Sequence, residues 1–286
     1  MYTEDVGVGG AVFSSALLTN VGRSILPFAE KVTCGFFQLV FPDDCRICGE
    51  PLRKVSRIPV CKRCLEAPKA LGADYFCVDC KTPFLNRFPL DDEGRCSLCR
   101  LGLSGFNTVY TFGSYEETLR ELIHLFKYQR IRPLARPLGE LLARAIPREH
   151  RFDLIVPMPL HWTKRWSRSY NQSELLAKEV ARRFGLPIAK AVRRVKATNP
   201  QAGLSNSKRR LNVRGAFSVR GRAKIKGLRV LLIDDVLTTG ATASACAGAL
   251  KRAGASHVAV AAVARTDRRL DREKWPLAVA AKSGIT

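Results

Sequence analysis

The sequence is short of acidic residues, of histidine and of long apolar runs, and each shortage closes off a class of function. Only 25 Asp and Glu stand against 48 Lys and Arg in 286 residues, leaving a net charge of +23. An excess of that size repels itself unless an anion meets it: phosphate, nucleic acid or an acidic membrane surface. A merely solubilising surface would carry the same charge without a partner. No stretch reaches the roughly 18 uncharged apolar residues of a membrane span. Residues 6–22 come nearest, but they are rich in Gly and Ser, follow Glu4 and Asp5, and lack the basic start of a secretory signal. Residues 11–40 read as an amphipathic helix inside an N-terminal helical segment, 1–40, and the protein as cytoplasmic. The histidines His124, His150, His161 and His257 are scattered and form no nucleophilic triad. His161 alone falls in a loop that could touch a ligand.

Cysteine, by contrast, is abundant and ordered. Eight of the ten cysteines fall into four CxxC pairs, Cys45/Cys48, Cys61/Cys64, Cys77/Cys80 and Cys96/Cys99, separated by 12, 12 and 15 residues. A CxxC turn aims two thiolates at one point, and tetrahedral Zn2+ needs two such turns, so four turns make two complete four-cysteine sites. The simplest assignment is sequential, with Cys45, Cys48, Cys61 and Cys64 on one zinc and Cys77, Cys80, Cys96 and Cys99 on the other. A crossed arrangement, first pair with third and second with fourth, fits the spacing as well. All-thiolate sites leave no open coordination position, so the expected role is structural. A segment of about 60 residues with few large apolar groups needs such staples to fold. This double zinc-ribbon module is expected over 41–104. Cys34 and Cys246 stand outside the pattern, and Cys246, among small residues, reads as a packing residue.

From Phe106 onward strands alternate with helices. Residues 107–113, 153–157, 229–233 and 257–263 read as strands, 115–128, 133–146, 173–184 and 241–253 as helices, and 187–195 as a β-segment. That alternation predicts an α/β domain over 105–286, a parallel sheet with helices on both faces and its ligand beyond the C-terminal ends of the strands.

Two strand-end loops carry the expected chemistry. In IDDVLTTGAT, residues 233–242, an apolar strand delivers Asp234 and Asp235 and then Thr238, Thr239, Gly240, Ala241 and Thr242 lead into a helix. Small residues let backbone N–H groups approach a phosphate, threonine hydroxyls add donors, and the helix N-terminus adds its dipole. The carboxylates would be repelled by that phosphate but suit the hydroxyls of an adjoining sugar. The second loop, 157–172, follows the strand DLIVP. It turns through Met158, Pro159 and Leu160, carries Lys164, Arg165 and Arg168, and opens the next helix with Asn171 and Gln172, which can donate to phosphate or cap. Trp162, Trp166 and Tyr170 lie among these cations and would suit base stacking or the core. Residues 193–217 are polar and basic.

IDDVLTTGAT resembles the 5-phosphoribosyl-1-pyrophosphate (PRPP) motif of type I phosphoribosyltransferases. Together with FPDDCRICG, LIHLFKYQR, VPMPLHWTKRWSRSYNQSELLA and NPQAGLSNSKRRLNVRGAF, it makes the chain similar to the ComF family from about Phe36 to Thr266. In that family a cysteine-rich zinc module precedes a phosphoribosyltransferase-like domain in competence-associated proteins. The resemblance implies that Asp234 and Asp235 hold ribose hydroxyls and that residues 238–242 wrap the 5′-phosphate. It places Lys164, Arg165 and Arg168 where pyrophosphate and Mg2+ lie, and residues 193–217 as a basic flexible loop over the site. Ser169 stands where the family usually has Gly. The implied function is PRPP or nucleotide-phosphate binding linked to DNA uptake, with single-stranded DNA and other DNA-uptake proteins as partners. The alternatives are an active phosphoribosyltransferase with an unassigned acceptor and a PRPP-sensing regulator without turnover.

Overall fold

The computed structural model describes residues 44–52, 56–87, 89–160, 170–195, 215–221 and 224–266. The expected helix over 11–40 lies outside them, as do Cys34, residues 161–169 and residues 196–214. The chain divides into two compact units, 1–61 and 62–286. The first unit's described part is a knuckle. Gly49 takes a left-handed φ of +73° so that its N–H can return to the Cys45 carbonyl at 2.8 Å, and Asp44 bridges Pro51.

The second unit opens with a short helix α1 (Lys62–Glu66), a two-residue hairpin of β1 (Tyr75–Phe76) and β2 (Pro83–Phe84), and α2 (Ser97–Arg100). Here Lys81 repeats the knuckle of Gly49, with φ +50° and its N–H on the Cys77 carbonyl at 3.0 Å. Then come β3 (Thr108–Ser114), α3 (Glu117–Tyr128), α4 (Ala135–Arg144), β4 (Leu154–Pro157), α5 (Gln172–Phe184), β5 (Val192–Arg194), β6 (Phe217–Val219), β7 (Arg229–Leu237), α6 (Ala241–Arg252) and β8 (His257–Arg265).

The central sheet runs β3-β8-β7-β4, all parallel, as the alternation predicted. A parallel sheet has both faces covered, so its strands are apolar throughout. β8, HVAVAAVAR, is buried from Val258 to Arg265, and its alanines keep its faces low enough for helices to pack closely. Pro187 and Ala189 bond Ile155 on the outer side of β4. The expected β-segment 187–195 is therefore two pieces: a bridge at Ile188 on the sheet edge, then β5, antiparallel to β6.

Each helix buries the face its spacing sets out. Leu119, Leu122, Ile123 and Phe126 of α3 are at most 4% exposed, and each such burial contributes about 1.5–3 kcal/mol. α5 starts on Asn171, whose side-chain oxygen accepts from Ser173 N–H at 3.1 Å, and ends on left-handed Gly185.

The second cysteine module packs on the same core as the sheet. Cys77, Cys80, Phe84, Cys96 and Leu98 join Val109, Val230 and Cys246 in one buried cluster. The chain crosses to the sheet at Gly105, over α6. Gly105 N–H donates to Ser244 Oγ at 2.9 Å, and that hydroxyl donates to the Leu103 carbonyl.

Candidate functional site

β7 is longer than the expected 229–233. It continues to Leu237 because β8 pairs with it past the end of β4, Asp234 opposite Ala262 and Val236 opposite Ala264. The acid pair, expected at the strand's end, therefore stands within the strand itself. β4 ends beside it: Met158 N–H donates to Ile233 O at 2.8 Å. Asp234 and Asp235 project at the C-terminal edge of the sheet, between the β4 loop and the start of α6.

Three elements close on this pair. From the last turn of α3, Lys127 Nζ lies 2.8 Å from Asp235 Oδ1, with side chains only 12% and 14% exposed. From the first turn of α5, Ser173 Oγ donates to Asp234 Oδ1 at 3.2 Å. From β5, Arg194 lies within the field of Asp234. The carboxylates also accept from backbone, Asp234 from Asp235 N–H at 2.9 Å and Asp235 from Val236 N–H at 2.6 Å. Burial of the Asp234 carboxyl, reinforced by the Asp235 charge, raises its pKa to about 7 against the pull of Lys127 and Ser173. Burial works against the Lys127 ammonium, but Asp235 outweighs it and the lysine pKa lies above its ordinary value.

Beyond the pair, Thr238, Thr239, Gly240, Ala241 and Thr242 turn into α6. Gly240 is the N-cap with φ +76°, and Thr239 Oγ1 accepts from Ala241 N–H at 3.4 Å. The first-turn N–H groups of an α-helix have no intrahelical acceptor, so this loop offers donors and a positive dipole to an anion. Gly240 has a second constraint: a Cβ there would stand 3.0 Å from Leu98 Cδ1.

The second loop is described in part. Met158 is buried, and Pro159 and Leu160 are partly exposed. Asn171 is used within the fold, capping α5 and donating to the Met158 carbonyl at 2.9 Å. Gln172 is fully buried. Tyr170 is a core residue, its hydroxyl on the Phe126 carbonyl and Arg132 over its ring at 5.0 Å. Lys164, Arg165, Arg168, His161, Trp162 and Trp166 lie outside the described residues. So does most of 193–217, but its two ends are held together, Val195 N–H bonding Ala216 O at 2.8 Å.

The cysteines gather in the sequential pairing. The sulfurs of Cys45, Cys48, Cys61 and Cys64 lie within 4.8 Å of one another, as do those of Cys77, Cys80, Cys96 and Cys99. Four sulfurs at about 2.3 Å from a tetrahedral Zn2+ stand about 3.8 Å apart. Cys48–Cys61 and Cys80–Cys96 are each 3.7 Å apart. Backbone N–H groups turn toward the sulfurs, Cys61 to Cys45 and Cys96 to Cys77, both at 3.3 Å. Burial opposes the Cys45 thiolate, but surrounding N–H groups bring its pKa down to about 6. The donor set and spacing fit zinc at both positions.

Residues 171–281 match the family model described as a phosphoribosyl transferase domain. Competence protein F of Haemophilus influenzae is 35% identical over 178 residues, which are 59% of this chain and 78% of that one. DNA utilization protein YhgH of Salmonella typhimurium is 30% identical over 235 residues, 80% of this chain and 99% of that one. The chain belongs to the ComF family. A glutamine PRPP amidotransferase from B. subtilis has a similar chain path, at 22% identity and a TM-score of 0.32, over 46% of this chain and 26% of that one.

Sequence reasoning about this ComF chain did not single out Lys127, Ser173 or Arg194. For two of them a signal was present. Lys127 follows Leu119 and Ile123 at spacings of four, so it continues the apolar stripe of α3. A lysine in such a stripe must find a carboxylate. Ser173 likewise precedes Leu176, Ala177 and Val180 on the buried face of α5. Arg194 had no comparable signal, because only the tertiary fold brings β5 to β7. A separate cavity, about 390 Å³, is lined by His150, Arg229 and His257 at the strand starts, the edge opposite the one where parallel sheets bind ligands.

Proposed function

We propose that this protein binds PRPP, or the ribose and 5′-phosphate of a nucleotide, at the end of β7, and that this binding serves the handling of incoming single-stranded DNA in the cytoplasm. The observation that carries the reading is the line from the acid pair to the α6 start. Sugar-binding carboxylates lie one loop away from a phosphate-binding helix end. Asp234 and Asp235 would accept hydrogen bonds from the ribose 2′ and 3′ hydroxyls, and residues 238–242 would donate to the phosphate. Asp235 already pairs with Lys127, so the pair is suited to holding hydroxyls rather than a metal. Lys164, Arg165 and Arg168 would meet a pyrophosphate, where Mg2+ would neutralise part of its charge. The names of the relatives, competence protein F and DNA utilization protein, support the DNA role, and the +23 charge fits it.

Turnover of PRPP is the second reading. It is favoured by the β5–β6 clasp, which holds the two ends of the basic segment together next to Arg194, itself within the field of Asp234, a place from which a loop could cover the site. Calorimetric titration with Mg2+–PRPP and with a single-stranded oligonucleotide tests the first reading. PRPP should bind the wild type and not Asp234→Asn/Asp235→Asn, and oligonucleotide affinity should fall steeply with salt. Absence of PRPP binding, or a flat salt response, refutes the corresponding half. Pyrophosphate release with a panel of nucleobases and amines decides turnover.

A further inference from the structure

The phosphate loop has a second neighbour. On its side away from β4 lies a cavity of about 290 Å³, bounded by Leu237–Gly240 and the end of β8 on one side and by the second cysteine module on the other. β4 and β8 flank β7 on opposite sides. A phosphoribosyl ligand running from the β4 loop across the acid pair to residues 238–242 therefore points its 5′-phosphate toward this cavity. A terminal phosphate ends at the loop and has no atoms to place beyond it.

The lining is suited to a nucleoside. The Arg265 guanidinium lies over the Phe84 ring at 4.2 Å from its centroid, and both residues, largely buried, line the cavity. Bases stack on aromatic rings and on guanidinium planes. Phe106 adds a second ring, Thr238 and Thr266 add hydroxyls, and the exposed Arg100 adds a cation at the rim. The volume, about 290 Å³, lies just under the roughly 300–1,000 Å³ of small-ligand sites, which suits one nucleoside and nothing larger.

We propose that this cavity takes the nucleoside on the 5′ side of a phosphodiester, so that residues 238–242 grip an internal phosphate of single-stranded DNA as well as a free 5′-phosphate. The proposal rests on the phosphate-loop reading above, and it makes the zinc module part of the binding site.

The test is calorimetric titration with TpT and with thymidine 5′-methylphosphate, which has the same diester charge but no 5′ nucleoside. TpT should bind about ten-fold more tightly and should compete with Mg2+–PRPP. Thr266→Trp, which fills the cavity, should bring TpT down to the methyl ester's affinity and leave PRPP affinity unchanged, which also shows that the variant is folded. Ser97→Trp, which narrows the cavity from an exposed position without changing its charge, should weaken TpT several-fold with PRPP unaffected, and it decides the matter should Thr266→Trp misfold. Equal affinity for the two diesters in a protein that binds PRPP overturns this proposal alone, as does a TpT preference that survives both substitutions. Failure of PRPP to bind, with the TpT preference intact and lost in Thr266→Trp, counts instead against the PRPP reading.

Discussion

The two carboxylates at the end of β7 are held in different ways. Asp235 has a cation 2.8 Å away, whereas Asp234 has burial and a like charge against it, offset by a hydroxyl and a backbone N–H. Its pKa is about 7 in the fold against about 3.9 in an unfolded chain. Between those values the native state keeps a proton that the unfolded state has released. The group therefore costs stability as pH rises from about 4 to 7, at most about 1.4 kcal/mol per pH unit. Asp234→Asn removes that cost. Thermal melts from pH 5 to pH 8 should show the variant gaining on the wild type as pH rises, and a constant difference would contradict it. PRPP affinity of the wild type should move the other way, strengthening through pH 7 as the carboxylate becomes an acceptor. The acid pair itself was plain in the sequence, as a break in an apolar run. Its partners were less so, because Lys127 and Ser173 lie 107 and 61 residues before Asp234, and only the packing of α3 and α5 against β7 joins them.

Among the elements, α6 has two roles at its first turn. Its N-terminus forms the loop proposed to hold phosphate, and Ser244 fastens the crossing at Leu103–Gly105. Close approach there requires glycine. A Cβ on Gly105 would stand 2.6 Å from the Gly248 backbone nitrogen. Gly105→Ala should lower stability by about 1–3 kcal/mol, read as a drop in melting temperature. If Ala is tolerated without loss, the chain does not cross α6 this tightly. Helices were the most legible elements. The stripe of α3, the Gly185 stop of α5 and the small-residue run of α6 all lie where the spacing put them. Strand limits were less legible. β7 extends four residues past Ile233 through two charged residues, because pairing with β8 overrides their low strand propensity. Segment 187–195 splits for a related reason: its first part completes the sheet edge and its second turns to meet β6, a partner 25 residues downstream.

For the whole molecule, the cysteine spacing was the most informative feature of the sequence, and the folded chain adopts the sequential pairing of its two alternatives. Zinc analysis by mass spectrometry should find two ions per chain. Cys80→Ser should leave one and lower the melting temperature of the sheet as well, because Cys77, Cys80 and Cys96 belong to the same buried cluster as β7 and α6. Cys48→Ser also removes one ion but replaces an exposed sulfur, so its melting temperature should fall less. Equal losses would mean that the second cluster is no more integral to the core than the first. The charge excess raised the expectation of an anionic partner without locating a site for it. The cavity beside the phosphate loop is lined by residues from 82 to 266, which no local pattern could have brought together.

β8, the last strand among the described residues, lies in the interior of the sheet, between β3 and β7. Until residues 257–265 leave the ribosome, β3 has no neighbour in the sheet and β7 lacks one of its two. The eight paired cysteines, the last of them Cys99, are made long before that. During synthesis the zinc-binding segment can therefore be complete while the sheet waits, its apolar strands exposed, for its final piece. A truncated translation product ending before β8 would be a metal-loaded fragment with unpaired strand edges, prone to aggregate.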